Sequence, residues 1–186
     1  MEYLLASTSP RRKELMKMIS DSFDIQSEEI DEHVSYKLGP IEAVKDISFR
    51  KGDKISQLNP NKIVIAADTI VVIDNEIIGK PIDEIDAYKI LKRLSARTHQ
   101  VITGYTIFYQ NTHLTNIAIS EVTFNELSDA LIKDYISSKS PLDKAGAYGL
   151  QDNENYHLIK KIKGSYYNVI GFPVDEIKVD IDRLIK

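Results

Sequence analysis

Apolar positions along the chain follow two rhythms, one of strands and one of helices. Tyr3, Leu4, Leu5 and Ala6 run without a polar break, which predicts a short buried strand. Phe23-Asp-Ile-Gln26 alternates apolar and polar positions and predicts a second. Lys62 to Asp74 is the strongest run, apolar at Ile63, Val64, Ile65, Ala66, Ala67 and again from Ile70 to Ile73. Such a run belongs in a sheet covered on both faces. Asp74-Asn75 reads as a hairpin turn returning through Ile77-Ile78, and Gln100–Tyr109 and Leu114–Leu127 read as two strands joined through Asn111-Thr112. His157 to Val169 is the last strand region.

Between these runs the spacing turns helical. Pro10 opens a helix with Ser9 as N-cap, and Leu15, Met16, Met18 and Ile19 are available for packing. Pro40 opens another through about Leu58, with a stripe of Ile41, Val44, Ile47, Ser48, Lys51, Ile55 and Leu58. Asp83 caps a helix that buries Ile85, Tyr88, Leu91 and Leu94, and Ser128 caps one carrying Leu131, Ile132, Tyr135 and Ile136. Pro173 opens a terminal helix with Val174, Ile177, Ile181, Leu184 and Ile185. Interleaved strands, helices and hairpins predict an α/β fold with a mixed, twisted central sheet flanked by helices. A chain of 186 residues suits a single domain, residues 1–186, with two lobes around a cleft.

Polar residues that break these rhythms carry the chemistry. Asp68 sits inside the most apolar strand, where an ionised carboxylate needs a cation, a metal or a raised pKa. It reads as a metal ligand, a general base, or both. Lys51 interrupts a helix stripe, as a snorkelling lysine or as a phosphate contact. Lys80, between Gly79 and Pro81, reads as a second phosphate-facing cation, although the glycine spacing is not that of a P-loop. Ser7, Thr8 and Ser9 form a hydroxyl-rich turn before Arg11-Arg12-Lys13 in the first helical turn. Cations there oppose the helix macrodipole unless an anion sits among them. Strand, hydroxyl turn and basic helix start together suit a phosphate cradle, against the alternative of a solvated basic patch.

The acidic segment Glu28-Glu-Ile-Asp-Glu32 reads first as a solvated loop. The glycines of the 138–153 loop permit close backbone approach, beside polar Asp143, Lys144 and Gln151.

A net charge of −4 argues against a general nucleic-acid binder but leaves room for a small phosphorylated substrate. With no cysteine, disulfides, thiolate chemistry and Cys-based zinc sites are excluded. The four histidines lack the HExxH spacing. Neither a secretory signal nor an apolar run of membrane-spanning length is present, so a soluble cytoplasmic protein is the expectation.

Ala6-Ser-Thr-Ser-Pro-Arg-Arg12 resembles the opening motif of the Maf family of nucleoside triphosphate pyrophosphatases. The resemblance recurs at Ala67-Asp-Thr69, Gly79-Lys-Pro81, Leu94-Ser-Ala-Arg-Thr-His99, Thr103-Gly104, Asp143-Lys-Ala-Gly-Ala-Tyr-Gly-Leu-Gln151 and Gly164-Ser-Tyr-Tyr-Asn-Val-Ile-Gly171, in the family's order. It implies a fold like that of inosine triphosphate pyrophosphatase. It also implies hydrolysis of a nucleoside triphosphate to monophosphate and pyrophosphate with Mg²⁺ or Mn²⁺.

By the same resemblance Asp68 and Glu32 hold the metal, and Asp68, Glu32, Lys51 and Lys80 are catalytic. Ser7, Arg11, Arg12, Thr69 and Gln151 bind substrate, with Arg12 serving either base or phosphates. Arg11, Thr69 and Gln151 match the dTTP/UTP-cleaving branch, whose substrates include modified pyrimidine nucleotides as an option. The implied partner is the nucleoside triphosphate, with no stable nucleic-acid or membrane partner and with a homodimer allowed. The rival is a non-enzymatic nucleotide-binding regulator of septum formation. Gly52, Ala96 and Asp152 depart from the family pattern, which more often has alanine, glycine and glycine at those places.

Overall fold

One long strand with two different faces sets the architecture. The computed structural model describes residues 1–186, with every side chain except those of His33 and Val34. In chain order the elements are β1 (Glu2–Ala6), α1 (Pro10–Met16), β2 (Phe23–Gln26), α2 (His33–Tyr36), α3 (Pro40–Leu58), β3 (Lys62–Ile73) and β4 (Glu76–Ile78). Then come α4 (Glu84–Leu94), β5 (Thr98–Tyr109), β6 (Thr112–Phe124), α5 (Asp129–Ser137), α6 (Asn153–Tyr156), β7 (Ile159–Lys163), α7 (Tyr166–Ile170) and α8 (Val174–Leu184). The strands form a seven-stranded mixed sheet in the order β2-β1-β3-β5-β6-β7, with β4 paired on β3. The expected fold class is therefore the observed one. Among the described residues no helix is long and apolar enough to cross a membrane.

The chain divides into two compact units: Met1–Thr69 with Ile102–Ala118 and Ser165–Lys186, and Ile70–Val101 with Ile119–Gly164. In the first unit β1 pairs in parallel with both β2 and β3, placing Leu5 beside Ile65. Side chains alternate along a strand, so β3 presents Ile63, Ile65 and Ala67 to one face and Val64 and Ala66 to the other. The odd face packs with Leu15 and Met16 of α1 and Ile177 and Ile181 of α8. The even face packs with Ile55 of α3 and Phe108 of β5, with Phe49 against them. Both faces are covered, which is why the strand carries no polar alternation.

Helix α3 has the bounds its sequence predicts. Its buried residues include Val44, Ile47, Ser48 and Ile55, whereas the expected Ile41 and Leu58 at its ends stay exposed. Gly52 is explained by packing: a Cβ there would lie 2.4 Å from Phe108 Cε2 and 3.0 Å from Ala66 Cβ. The phenyl ring occupies the volume an alanine methyl would need.

In the second unit the β3–β4 hairpin turns through Asp74 and Asn75, both at positive φ, as a two-residue turn of this kind requires. Asp83 and Ser128 cap α4 and α5 through their side chains, as expected. Ile85, expected to be buried, is exposed, because the inward face of α4 is Ala87, Leu91 and Leu94. Two residues before Ala87 is about 200° around a helix, the opposite side. The His157–Val169 region also departs from expectation. Its strand ends at Lys163, and Ser165 then caps α7 by accepting from Asn168 N–H.

Ala96, where the family pattern favours glycine, takes the left-handed conformation at φ +59°. An alanine pays about 1–2 kcal/mol there. Ala96→Gly is expected to stabilise the protein by about 1 kcal/mol, raising Tm by roughly 2–4 °C. Calorimetry showing an unchanged or lower Tm would contradict the strain.

His99 is buried against the rings of Phe124 and Tyr148, with Nε2 2.7 Å from the Tyr148 hydroxyl and no partner for Nδ1 among the described residues. Burial pulls its pKa from 6.5 down to about 4. The stability gained by holding the ring neutral is complete above pH 6.5 and is lost as pH falls from 6.5 towards 4. Denaturant melts at pH 7 and pH 4.5 should show wild type losing about 2–3 kcal/mol more than His99→Gln. Equal losses would show that the ring does not set acid sensitivity.

Candidate active site

The alternation of β3 delivers neighbouring residues to opposite sides of the sheet. Asp68 continues the even face, towards α3, and Thr69 continues the odd face, towards α1. Each meets a cation there.

On the α3 side, Lys51 Nζ lies 2.7 Å from Asp68 Oδ1 and 2.6 Å from Glu32 Oε1. The Asp68 and Lys51 side chains are 9% and 17% exposed and that of Glu32 is 38%, so one ammonium joins a desolvated carboxylate to a partly solvated one. Neither the snorkelling nor the phosphate reading of Lys51 anticipates that arrangement. The ammonium supplies the counter-charge that a buried carboxylate requires. Glu32 stands at the start of α2, where Tyr36 OH donates weakly to its Oε2 at 3.4 Å. Burial, reinforced by Asp68 and Glu32, pushes the Tyr36 hydroxyl well above its ordinary pKa, so it remains a donor facing the acids.

On the α1 side, Arg12 Nε donates to the Gly171 carbonyl at 2.9 Å and Nη2 to Thr69 Oγ1 at 3.2 Å. Its Nη1 lies 3.5 Å from Ser7 Oγ, at the limit of a hydrogen bond. Thr69 Oγ1 is 2.9 Å from Thr103 Oγ1, which donates to the Asn168 carbonyl at 3.3 Å. One consistent chain of donors thus runs from Arg12 through Thr69 and Thr103 to Asn168. Gly171 closes it at φ +111°, a conformation suited to glycine, and a Cβ there would sit 3.1 Å from Thr69 Oγ1. Burial lowers the Arg12 pKa; Asp68 and Glu32 oppose that shift, and Arg11 adds to it. A guanidinium so placed gains from any anion that approaches.

Ser9 occupies the N-cap position with Pro10 next, as expected, but its side chain makes no capping bond. Ser7 Oγ instead accepts from Ser9 N–H at 3.2 Å and holds the turn. Arg11 is half-buried beside Arg12.

Of the residues singled out by sequence, the structure gathers Glu32, Lys51 and Asp68 into one cluster and Ser7, Arg12 and Thr69 into another. Lys80 and Gln151 belong to the second unit, and both are exposed. Gln151 rides on the turn Leu150–Asp152. That turn is tied down by Asp152, whose Oδ2 accepts from Tyr135 OH at 2.6 Å and Ser140 Oγ at 2.9 Å. Tyr135 OH in turn accepts from Gly149 N–H at 3.1 Å. The unusual Asp152 is thus a pin for the loop. Sequence reasoning overlooked Tyr36, and it quoted Thr103 within a motif without giving it a role.

Among the described residues no group of three or more acidic or histidine side chains could hold a metal ion. Asp68 and Glu32 are brought together by their shared contact with Lys51 Nζ, however, and Mg²⁺ is commonly held by one or two carboxylates together with substrate phosphates. The pair fits a cation shared with substrate and does not form a cage of its own.

The model of the family described as Maf-like protein matches residues 2–183. A dTTP/UTP pyrophosphatase of Bacillus pumilus is 43% identical over 173 residues, covering 93% of this chain and 91% of the relative. One from Carboxydothermus hydrogenoformans is 42% identical over 94% of each chain, and one from Clostridium botulinum is 40% identical over 100% of each. The Ham1 protein structure from Staphylococcus aureus matches with a TM-score of 0.54 at 9% identity, covering 99% of this chain and 100% of that one, which is a likeness of fold. With the family model matched over residues 2–183 and relatives 40–43% identical over nearly the full length, the chain belongs to the Maf-like family.

Proposed function

We propose that this chain, acting in the cytoplasm as one Maf-like domain, hydrolyses dTTP and UTP to the monophosphate and pyrophosphate. The observation that carries the proposal is the convergence of Glu32 and Asp68 on Lys51, with Asp68 in the middle of an otherwise apolar strand. Family membership points to a divalent cation, Mg²⁺ or Mn²⁺, which Asp68 and Glu32 would hold. When bound, it would neutralise phosphate charge and lower the pKa of a coordinated water.

In this reading Asp68 orients the attacking water and takes its proton as the bond between the α- and β-phosphates breaks. Lys51, already between the carboxylates, shares its ammonium with the incoming triphosphate. Arg11, Arg12 and Lys80 supply further positive charge to the triphosphate and the departing pyrophosphate. Ser7 and the backbone N–H groups at the start of α1 add neutral donors. Gln151, with an amide that can both donate and accept, faces the pyrimidine edge.

The direct test is pyrophosphate release from a panel of ribo- and deoxyribonucleoside triphosphates with Mg²⁺ or Mn²⁺. Release concentrated on dTTP and UTP is expected; none from any nucleotide would leave only a binding protein. Asp68→Asn keeps an oxygen for Lys51 and should fold, yet turnover should fall at least about a hundredfold. A folded variant with near-normal turnover would remove Asp68 from the chemistry.

Gln151→Glu removes a donor and sets charge beside an acceptor carbonyl. The kcat/KM ratio for UTP over GTP should therefore drop by roughly ten- to a hundredfold. If all activities fall together and the ratio stays flat, Gln151 does not read the base.

A further inference from the structure

Glu32 follows a stretch, residues 27–31, without regular secondary structure and mostly exposed, yet its carboxylate meets Lys51 at 2.6 Å. Something must hold its backbone. Lys51 cannot do so alone, since a single ion pair leaves the peptide on either side free to move.

Arg50, the residue before Lys51 on α3, reaches that backbone. Its Nη1 donates to the carbonyl of Asp31 at 3.0 Å and to Ser35 Oγ at 2.9 Å, on either side of Glu32. Ser35 Oγ donates to Asp46 Oδ2 at 2.5 Å, and the same oxygen lies 3.4 Å from Arg50 Nη1. Asp46 and Arg50 are one turn apart on α3, so the helix presents both as a rigid fork. Ser35 is 1% exposed, and its N–H returns to the Glu32 carbonyl at 3.1 Å. One neighbour on α3 thus fixes the peptide that carries Glu32, while the next neighbour receives the carboxylate.

We propose that Asp46, Arg50 and Ser35 form a latch that positions Glu32 and thereby sets the affinity of the site for its divalent cation. The proposal rests on the reading of Glu32 as a ligand given above. These are positioning residues, since they touch neither substrate nor cation. Outer partners of metal ligands commonly govern affinity in this way.

The test titrates Mn²⁺ into protein saturated with the α,β-imido analogue of dTTP and follows free Mn²⁺ by electron paramagnetic resonance, well below each variant's Tm. Ser35→Ala is expected to weaken Mn²⁺ binding roughly tenfold. Asp46→Asn, which keeps an oxygen for the Ser35 hydroxyl, should retain most of the wild-type affinity. Where Ser35→Ala does not fold, Arg50→Lys replaces it, because an ammonium cannot span both Asp31 O and Ser35 Oγ as the guanidinium does.

The decisive comparison is with Glu32→Gln. If the latch acts through Glu32, adding Ser35→Ala to Glu32→Gln weakens Mn²⁺ binding no further. A Ser35→Ala affinity equal to wild type, or an equal further loss in the Glu32→Gln background, overturns the latch while leaving the metal reading intact. Unchanged Mn²⁺ binding in Glu32→Gln, or none in wild type, overturns the ligand reading itself and the latch with it.

Discussion

A buried carboxylate on an apolar strand cannot stand alone, and the first unit is arranged around that constraint. Asp68 is 6% exposed and continues the face of β3 that packs on α3. Left without a partner it would cost several kcal/mol. Lys51 meets it from α3, and Glu32 shares the same ammonium. The result is a cluster with one acid more than it has bases, a poor design for stability alone and a good one for receiving a cation together with an anionic substrate. Exposed ion pairs elsewhere, such as Lys17 with Glu14, carry no comparable desolvation and add little.

The period of two in a strand also explains why two different subsites sit side by side. Thr69 turns to the α1 side, where it joins Arg12, Thr103 and the carbonyl of Gly171. The groups that Arg12 hydrogen-bonds are all neutral, so its orientation is fixed by three acceptors while its charge is felt by Asp68 and Glu32. The acidic cluster and the basic one thus hang from consecutive residues of β3, on its two faces. Strand geometry sets the spacing between them, without help from a flexible loop.

Much of the fold was legible because it is local. The bounds of α3, the buried strands and the caps at Asp83 and Ser128 follow from spacing and turn chemistry. Asp68 stands out because a charge inside an apolar run is rare, whereas the ion pairs of Lys51 with Asp68 and Glu32 are not legible in the sequence. The Lys51–Asp68 pairing links positions 17 residues apart along the chain, and no periodicity encodes that contact. Ile85 looked buried because α4 is apolar on more than one side, and only packing selects the inner face. The end of the expected His157–Val169 strand reads so because Tyr and Val favour it, but Ser165 and Gly171 cap a short helix there. Asp152 reads from sequence as a departure that could alter its loop and Gly52 as one that loosens α3; the first pins the loop and the second admits Phe108.

The central claim is that Lys51 is first the counter-charge of Asp68, so that removing it unbalances the fold as well as the chemistry. A double-mutant cycle on folding stability measures this directly, with Lys51→Met, Asp68→Asn and the pair compared by denaturant unfolding at neutral pH. Lys51→Met alone should cost about 3 kcal/mol, because it strands a buried carboxylate. Adding Asp68→Asn should restore a large part of that loss, giving a coupling of at least about 1 kcal/mol. A double variant whose loss equals the sum of the two single losses would contradict the account.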